Sequence, residues 1–275
     1  MTPSGIVTFT TDFGLKDTYV GQMKGVALSI CPDLTLVDLT HEVPAHDVMV
    51  GAVHLRTGYP AFPPGTVHVA VVDPGVGTGR RGVVVRAGGH YFVAPDNGIL
   101  SLVLQEVSVE SAHLLEAPRL RRGKVSPTFE GRDVFAPAAA WIVRGVSTDR
   151  FGPPVDDLKR ISIPQVRLEP GRPVPVRVLL VDRFGNVTLN LPRVALEPWL
   201  EPGLEVRLEV QTPGGTVIEL RKTYAEGEGE SPFLLFNSAD YLEVAIRDAG
   251  AAEHLGLKEG DDVSITLQYP AGGVV

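Results

Sequence analysis

Up to Val143 the chain alternates short β-branched runs with stretches of helical periodicity; beyond residue 175 it offers only short β runs separated by turns. This change of rhythm constrains the fold more than any other feature. Ile6 to Thr10, Thr35 to Leu39 and Thr66 to Val72 read as strands. Tyr19 to Ile30 reads as a helix, because Val20, Met23, Val26, Ala27 and Ile30 fall on one face at helical spacing. Val48 to Tyr59, Asn97 to Gln105 and the Ala-rich Asp133 to Val143 also read as helices, and Gly82 to Arg86 with His90 to Ala94 as a hairpin. Strands that alternate with helices bury their apolar faces by laying the helices on a largely parallel sheet, which predicts an α/β N-terminal domain. The later runs are Val176 to Val181, Asn186 to Asn190, Leu204 to Val210, Thr216 to Leu220, Phe233 to Asn237, Leu242 to Arg247 and Asp262 to Gln268. With turn signals such as Pro213-Gly214-Gly215 between them, they predict an all-β, antiparallel, barrel-like C-terminal domain. Four prolines and a glycine between Pro164 and Pro175 mark a linker. The expected division is 1–163, a linker over 164–175, and 176–275.

A chain of 275 residues, 44% hydrophobic and 21% charged, buries enough surface to fold without covalent staples. Its single cysteine, Cys31, excludes an internal disulfide and a cysteine metal cluster, and reads as a buried structural thiol. The formal net charge of -8 disfavours a nucleic-acid partner and favours a cationic ligand. Met1 to Thr10 contains no basic segment leading into an apolar core, and no apolar run reaches the roughly 18 residues a spanning helix needs. The expected address is the cytoplasm, with no membrane partner.

Five segments concentrate polar chemistry. In Val71-Val72-Asp73-Pro74-Gly75-Val76-Gly77-Thr78-Gly79-Arg80, a buried strand runs into a carboxylate and a glycine-rich loop. The loop leads into another strand, so it lacks the helix N-terminus of a dinucleotide fingerprint. It reads either as a ligand loop outside a strand's carboxyl end or as a tight turn carrying an Asp–Arg pair. Ser126 to Pro137 places Glu130, Arg132 and Asp133 just ahead of an apolar helix, where Asp133 could simply cap it. Asp12 follows the first strand; a carboxylate there accepts two hydrogen bonds from a vicinal diol, or serves a turn. Asp182-Arg183-Phe184-Gly185-Asn186 reads as a strand-to-strand turn whose Asn amide can match the edge of adenine, and Asn237-Ser238-Ala239-Asp240-Tyr241-Leu242 as a turn before a strand. His41, His46 and Asp47 stand close in sequence, but their five-residue offset fits no usual metal motif and no metal site is expected.

Together these segments resemble one family, the S-adenosylmethionine hydroxide adenosyltransferases, or S-adenosylmethionine hydrolases, relatives of the fluorinases and chlorinases. The likeness spans nearly the whole chain. It is carried by Thr10-Thr11-Asp12-Phe13-Gly14, Tyr19 to Gly25, Asp38-Leu39-Thr40-His41, Asp73 to Arg80, Ala94-Pro95-Asp96-Asn97-Gly98, Gly131 to Pro137 and Phe184-Gly185-Asn186. The resemblance implies an α/β domain followed by a β-barrel, assembled as a homotrimer with sites between chains. It also implies cleavage of the C5′–sulfur bond of S-adenosyl-L-methionine, which is then substrate and not cofactor; no cofactor is expected. The hydrolases hold their nucleophile with an Asp, an Arg and a His, and the halogenases replace that Asp with an aromatic residue. The Asp and Arg fall on Asp73 and Arg80. The His falls at position 130, which is Glu here.

The catalytic set implied for this chain is therefore Asp73, Arg80 and Glu130. Asp12 would hold the ribose hydroxyls; Asp17, Asp182 and Ser238 would contact the methionine end; Asn186 would read adenine, and Tyr224 would stack. The sulfonium leaves as a neutral thioether and needs no acid, so the work lies in orienting and deprotonating water. Hydrolysis is the leading expectation. A halide-dependent adenosyl transferase, and a protein that binds S-adenosylmethionine or adenosine without turnover because Glu130 replaces the family His, stand beside it.

Overall fold

A computed structural model describes residues 2–162, 166–199 and 207–268. The chain divides into two compact units, Met1–Ser162 and Ile163–Val275.

The first unit is an α/β layer structure. Its elements run β1 (Ile6–Thr11), α1 (Tyr19–Ile30), β2 (Thr35–Thr40), α2 (Val48–Gly58), β3 (Val67–Val71), β4 (Gly82–Ala87), β5 (His90–Pro95), α3 (Val103–Glu106), β6 (Val109–Leu114), a π-helix (Gly131–Phe135) and α4 (Ala136–Val143). The sheet order is β2-β1-β3-β5-β4-β6; β2, β1, β3 and β5 are parallel, and β4 and β6 are antiparallel additions. Period-two alternation divides the strands between two faces. Val7 and Phe9 of β1, with Val67, Val69 and Val71 of β3, join Met23 and Ala27 of α1 and the alanines of α4 in one core. Full burial of each such valine or phenylalanine stabilises the fold by about 1.5–3 kcal/mol. The opposite face lies under α2, and there the sheet carries Thr8, His68 and Phe92.

The helix expected over Asn97 to Gln105 is shorter; only Val103–Glu106 is helical. The Asn97 side chain is engaged otherwise: its amide donates to the Val72 carbonyl at 2.7 Å, and its Oδ1 accepts from Ile99 N at 3.2 Å. These bonds replace the helical ladder with a turn. The edge strand β6 had no sequence signal, because Glu110, Ser111 and His113 break any apolar alternation. Asp133 does not cap α4 from outside. It lies inside the π-helix, with its side chain fully buried.

The second unit is all-antiparallel in its named strands: β7 (Pro173–Val181), β8 (Val187–Pro192), β9 (Arg207–Thr212), β10 (Gly215–Val217), β11 (Phe233–Phe236), β12 (Tyr241–Ala245) and β13 (Asp262–Gln268), in the order β10-β9-β13-β7-β8-β12-β11. A bridge between Leu220, just past β10, and Leu234 of β11 links the two ends of that order and gives the sheet its barrel-like closure. Short helices α5 (Arg193–Leu196) and α6 (Ala251–Leu255) flank it. Strand β7 begins at Pro173, three residues before the strand start expected at Val176; 164 and 165 lie outside the described residues, as does the start of the run expected from Leu204.

Candidate functional site

The parallel register pairs Thr11 of β1 with Val71 of β3, so Asp12 and Asp73 leave the carboxyl ends of neighbouring strands within two positions of each other. Ligands of open α/β sheets sit at this edge. Asp12 Oδ2 accepts from the backbone N of His46 at 2.9 Å, which fixes the carboxylate. Asp17 is exposed in the turn ahead of α1.

The loop after β3 folds back so that Arg80 returns to Asp73. Arg80 Nε donates to Asp73 Oδ1 at 3.1 Å, Nη2 donates to Asp73 Oδ2, and Nη2 also donates to Glu130 Oε2 at 2.5 Å. Gly75 N reinforces Asp73 Oδ1 at 3.2 Å, and Arg80 Nη1 donates to the Arg81 carbonyl at 3.2 Å. Burial raises the Asp73 carboxyl above its ordinary value; Arg80 and Gly75 N oppose this, and the Glu130 charge adds to it. The side chains of Asp73 and Arg80 are 5% and 6% exposed, against 25% for Glu130. Glu130 is thus the member of the trio open to solvent. The arrangement is one guanidinium shared by two carboxylates. Such a group can hold a water between a cation that favours its ionised form and a base that takes its proton.

Glu130 reaches Arg80 from a different part of the chain, by two devices. Gly77, at φ 77°, passes directly over the Pro127 carbonyl, which docks the glycine-rich loop onto the segment that carries Glu130. Phe129 then packs edge-on against Phe13 and Tyr19, with ring centroids 5.9 and 5.1 Å away, tying the same segment to the loop after β1. Glu130 is the last residue before the π-helix, a register shift common at functional sites. Asp133 anchors this stretch from below. It accepts from Arg132 Nε at 2.7 Å, from Arg122 Nη1 at 3.3 Å and from Ser126 N at 2.8 Å. Burial alone would raise its carboxyl; Arg132, Ser126 N and Arg122 together bring it below the usual value. Asn97 and Asp133 are supporting residues whose tasks the sequence did not disclose, though both stand in the motifs that carry the resemblance.

In the second unit, Asp182, Asn186 and Tyr224 share a cavity of about 770 Å³ with the backbone and side chains of Ile246 to Gly250. Asp182 organises its own turn: Oδ1 accepts from Phe184 N and Asn186 N, each at 2.9 Å, and Oδ2 accepts from Asn186 Nδ2 at 3.0 Å. Phe184 stands 77% exposed on the rim, a large apolar ring left uncovered by the described residues. Tyr224 donates its hydroxyl to Glu243 Oε1 at 2.7 Å, and Glu243 Oε2 accepts from Asn237 Nδ2 at 3.0 Å. Burial, with the Glu243 charge, pushes the Tyr224 hydroxyl well up, and burial raises Glu243 in turn. Ser238 is exposed on the β11–β12 turn, at the opposite end of that hairpin from the cavity-lining Ile246. The structure therefore gathers Asp182, Asn186 and Tyr224, and leaves Ser238 away from them.

No group of three or more His, Cys, Asp or Glu side chains among the described residues is arranged to hold a metal ion, and no helix among them is long and apolar enough to cross a membrane. Cys31 is a half-buried free thiol.

Residues 7–152 match the model of the SAM hydroxide adenosyltransferase N-terminal domain, and residues 176–264 that of the C-terminal domain. The chain is 38% identical to an (R)-S-adenosyl-L-methionine hydrolase of Thermus thermophilus, over 94% of this chain and 98% of that one. It is 29% identical to a fluorinase of Actinopolyspora mzabensis, over 95% and 97%. A crystal structure of an uncharacterized conserved protein from Thermotoga maritima is 33% identical, covers 94% of this chain and 99% of its own, and superposes with a TM-score of 0.87.

Proposed function

The chain belongs to the SAM hydroxide adenosyltransferase family, and on that premise we propose that it is an enzyme that hydrolyses S-adenosyl-L-methionine at the C5′–S bond, giving adenosine and L-methionine. The observation that carries this reading is the trio at the end of β3, one guanidinium held between Asp73 and Glu130. Asp73 stands where the halogenases carry an aromatic residue.

A water bound beside Arg80 would attack C5′ in line with sulfur. The new C5′–O bond forms as C5′–S breaks; the sulfur keeps the bonding pair and departs as neutral methionine; the water's proton passes to a carboxylate, Asp73 or Glu130. Fixing the water in line could supply roughly 7–11 kcal/mol of the barrier reduction. With Glu in place of the family His, the trio contains two carboxylates and one cation, a poor host for a free anion. Water is activated in place, and preformed hydroxide or halide is not captured.

Asp12 would accept from the ribose hydroxyls, Asn186 would read adenine with Tyr224 stacking nearby, and Asp17, Asp182 and Ser238 would meet the methionine end. Ser238 stands at the other end of its hairpin from the cavity, where the far end of an extended substrate would reach it; the assembly proposed is a homotrimer whose sites lie between chains. The reaction needs no metal or other cofactor, and the net charge of -8 suits a cationic substrate and neither nucleic acid nor membrane. The cytoplasm, where S-adenosylmethionine is made and used, is the proposed location.

Purified protein incubated with S-adenosyl-L-methionine, with and without chloride, tests the reading by chromatography of the products. Adenosine and methionine, formed at a halide-independent rate, are expected. A chlorinated nucleoside would make it a halogenase. Bound but intact substrate would make it a binding protein, a reading favoured by one observation: Arg80 already spends its Nε and Nη2 donors on the two carboxylates.

A further inference from the structure

The Asp38–His41 motif lies outside the trio and the adenine cavity, and the structure gives it a definite task. His41 is buried. Its Nδ1 lies 2.8 Å from Thr11 Oγ1, and its Nε2 lies 2.9 Å from Asp38 Oδ1. Asp38 Oδ2 in turn accepts from Lys24 Nζ of α1 at 2.6 Å. The Asp38 carboxylate beside Nε2, close but out of line for a full hydrogen bond, favours the ring proton on that nitrogen, and Nδ1 then accepts from the Thr11 hydroxyl. The Thr11 oxygen then accepts from Phe13 N at 3.2 Å. Burial alone would raise the Asp38 carboxyl, and Lys24 and His41 together bring it below its usual value, so a charged carboxylate ends the relay.

The chain of contacts is Lys24–Asp38–His41–Thr11–Phe13, and it brackets Asp12. The backbone does the same from the other side. Gly14 N donates to the His41 carbonyl at 2.7 Å, Val43 N donates to the Thr11 carbonyl at 3.4 Å, and His46 N holds Asp12 Oδ2. His46 adopts φ 69°, in the left-handed region, to bring that N–H to bear. Residues 41 to 46 thus form a clasp around the Thr11–Gly14 loop, and His41 is the side chain that pins the clasp to the sheet. Thr11 is wholly buried, which excludes it as a nucleophile despite the Thr–His–Asp geometry.

We infer that His41, oriented by Asp38, is a positioning residue that presents Asp12 to the ribose of the substrate. The inference rests on the proposed reading of Asp12 as the ribose ligand. It predicts a selective effect. Loosening the clasp weakens nucleoside binding more than it disturbs the Asp73–Arg80–Glu130 trio, because the Gly77–Pro127 contact holds the Glu130 segment independently of the Phe13–Phe129 packing.

The test compares wild type with His41→Phe, Asp38→Asn and Thr11→Val. Adenosine binding is measured by calorimetry, alongside KM and kcat for S-adenosyl-L-methionine and the melting temperature. Thr11→Val, nearly the same shape and deprived only of its hydroxyl, is expected to raise KM and the adenosine Kd about tenfold while kcat changes less than threefold and the protein still melts cooperatively. His41→Phe should do the same or more, and Asp38→Asn should fall between wild type and His41→Phe. Unchanged adenosine affinity in folded Thr11→Val and His41→Phe overturns the inference, as does a loss confined to kcat. A wild type that binds neither adenosine nor S-adenosylmethionine overturns the ribose reading itself, and that result is distinct because it is seen before any substitution is made.

Discussion

Gly77 and Pro127 meet at a distance no side chain can enter: a Cβ on Gly77 would lie 2.8 Å from the Pro127 carbonyl oxygen, and φ at Gly77 is 77°. Both facts forbid alanine without movement. A non-glycine residue there is strained by about 1–2 kcal/mol, and the clash would lift the loop from the segment that ends in Glu130. Gly77→Ala is expected to lower kcat at least tenfold, with a loss of stability near 1 kcal/mol. Steady-state kinetics and a denaturant titration check the pair of outcomes. A stable variant with unaltered kcat would show that this contact does not set the trio.

Glu130 carries the departure from the family pattern. If it orients or deprotonates the water, Glu130→Gln removes the base while leaving a donor and an acceptor in place, and kcat should fall about 10²-fold or more. Glu130→His restores the family arrangement and should preserve or raise turnover. Asp73 predicts the acid limb. It must be ionised to accept from Arg80 in this way, and burial holds its pKa above 3.8, so activity should fall on acidification before an ordinary aspartate would titrate. A pH–rate profile flat to pH 4 contradicts this account.

The sequence disclosed the parts of this fold that periodicity controls. Tyr19–Ile30 and Asp262–Gln268 begin and end where their patterns do, because each buries one regular face. The edge strand β6 and the turn at Asn97 were not legible, since one has polar residues on both faces and the other is shaped by a side chain bonding to a carbonyl 25 residues away. At the site, strand-end position marked Asp12 and Asp73, but only the resemblance pointed to Glu130, and only the folded chain brings it to Arg80 across 50 residues. The clasp around Asp12 was unreadable for the same reason: His41 and Thr11 are 30 residues apart and meet only because β1 and β2 are neighbours.

Asp133 is a buried carboxylate with a guanidinium on each side of it. Removing its charge takes the anionic partner from Arg132 and Arg122 and leaves one amide oxygen to serve donors that two carboxylate oxygens served before, and breaking such a pair typically costs about 3–5 kcal/mol. Arg122 is half-exposed, so Asp133→Asn should fall at the lower end, near 3 kcal/mol. Guanidinium unfolding with an unchanged m-value would measure it. The 122–130 segment should loosen as well, so the kcat of the surviving folded protein should drop with it. A loss below 0.5 kcal/mol would mean that the arginines find solvent or other partners.

Behind the sheet, under α2, His68 lies wholly buried between Thr8 and His90, its Nδ1 2.8 Å from Thr8 Oγ1 and its Nε2 3.1 Å from His90 Nδ1. Tyr59, Phe62 and Phe92 surround it at ring distances of 6.0, 5.8 and 5.3 Å. Burial first, then the neighbouring His90, push its pKa from 6.5 down to about 3. The folded state therefore holds His68 neutral where the unfolded chain protonates it. Stability is full above about pH 6.5 and declines as pH falls from there toward 3, because the unfolded chain binds the extra proton. The slope for one such group is about 1.4 kcal/mol per pH unit. His90, also lowered by burial, acts in the same direction. Unfolding free energies measured between pH 8 and pH 4 should show this decline, and His68→Phe should be less stable at pH 8 yet lose less on acidification, by the share of one proton. An acid slope identical in the variant and the wild type would place the proton uptake elsewhere.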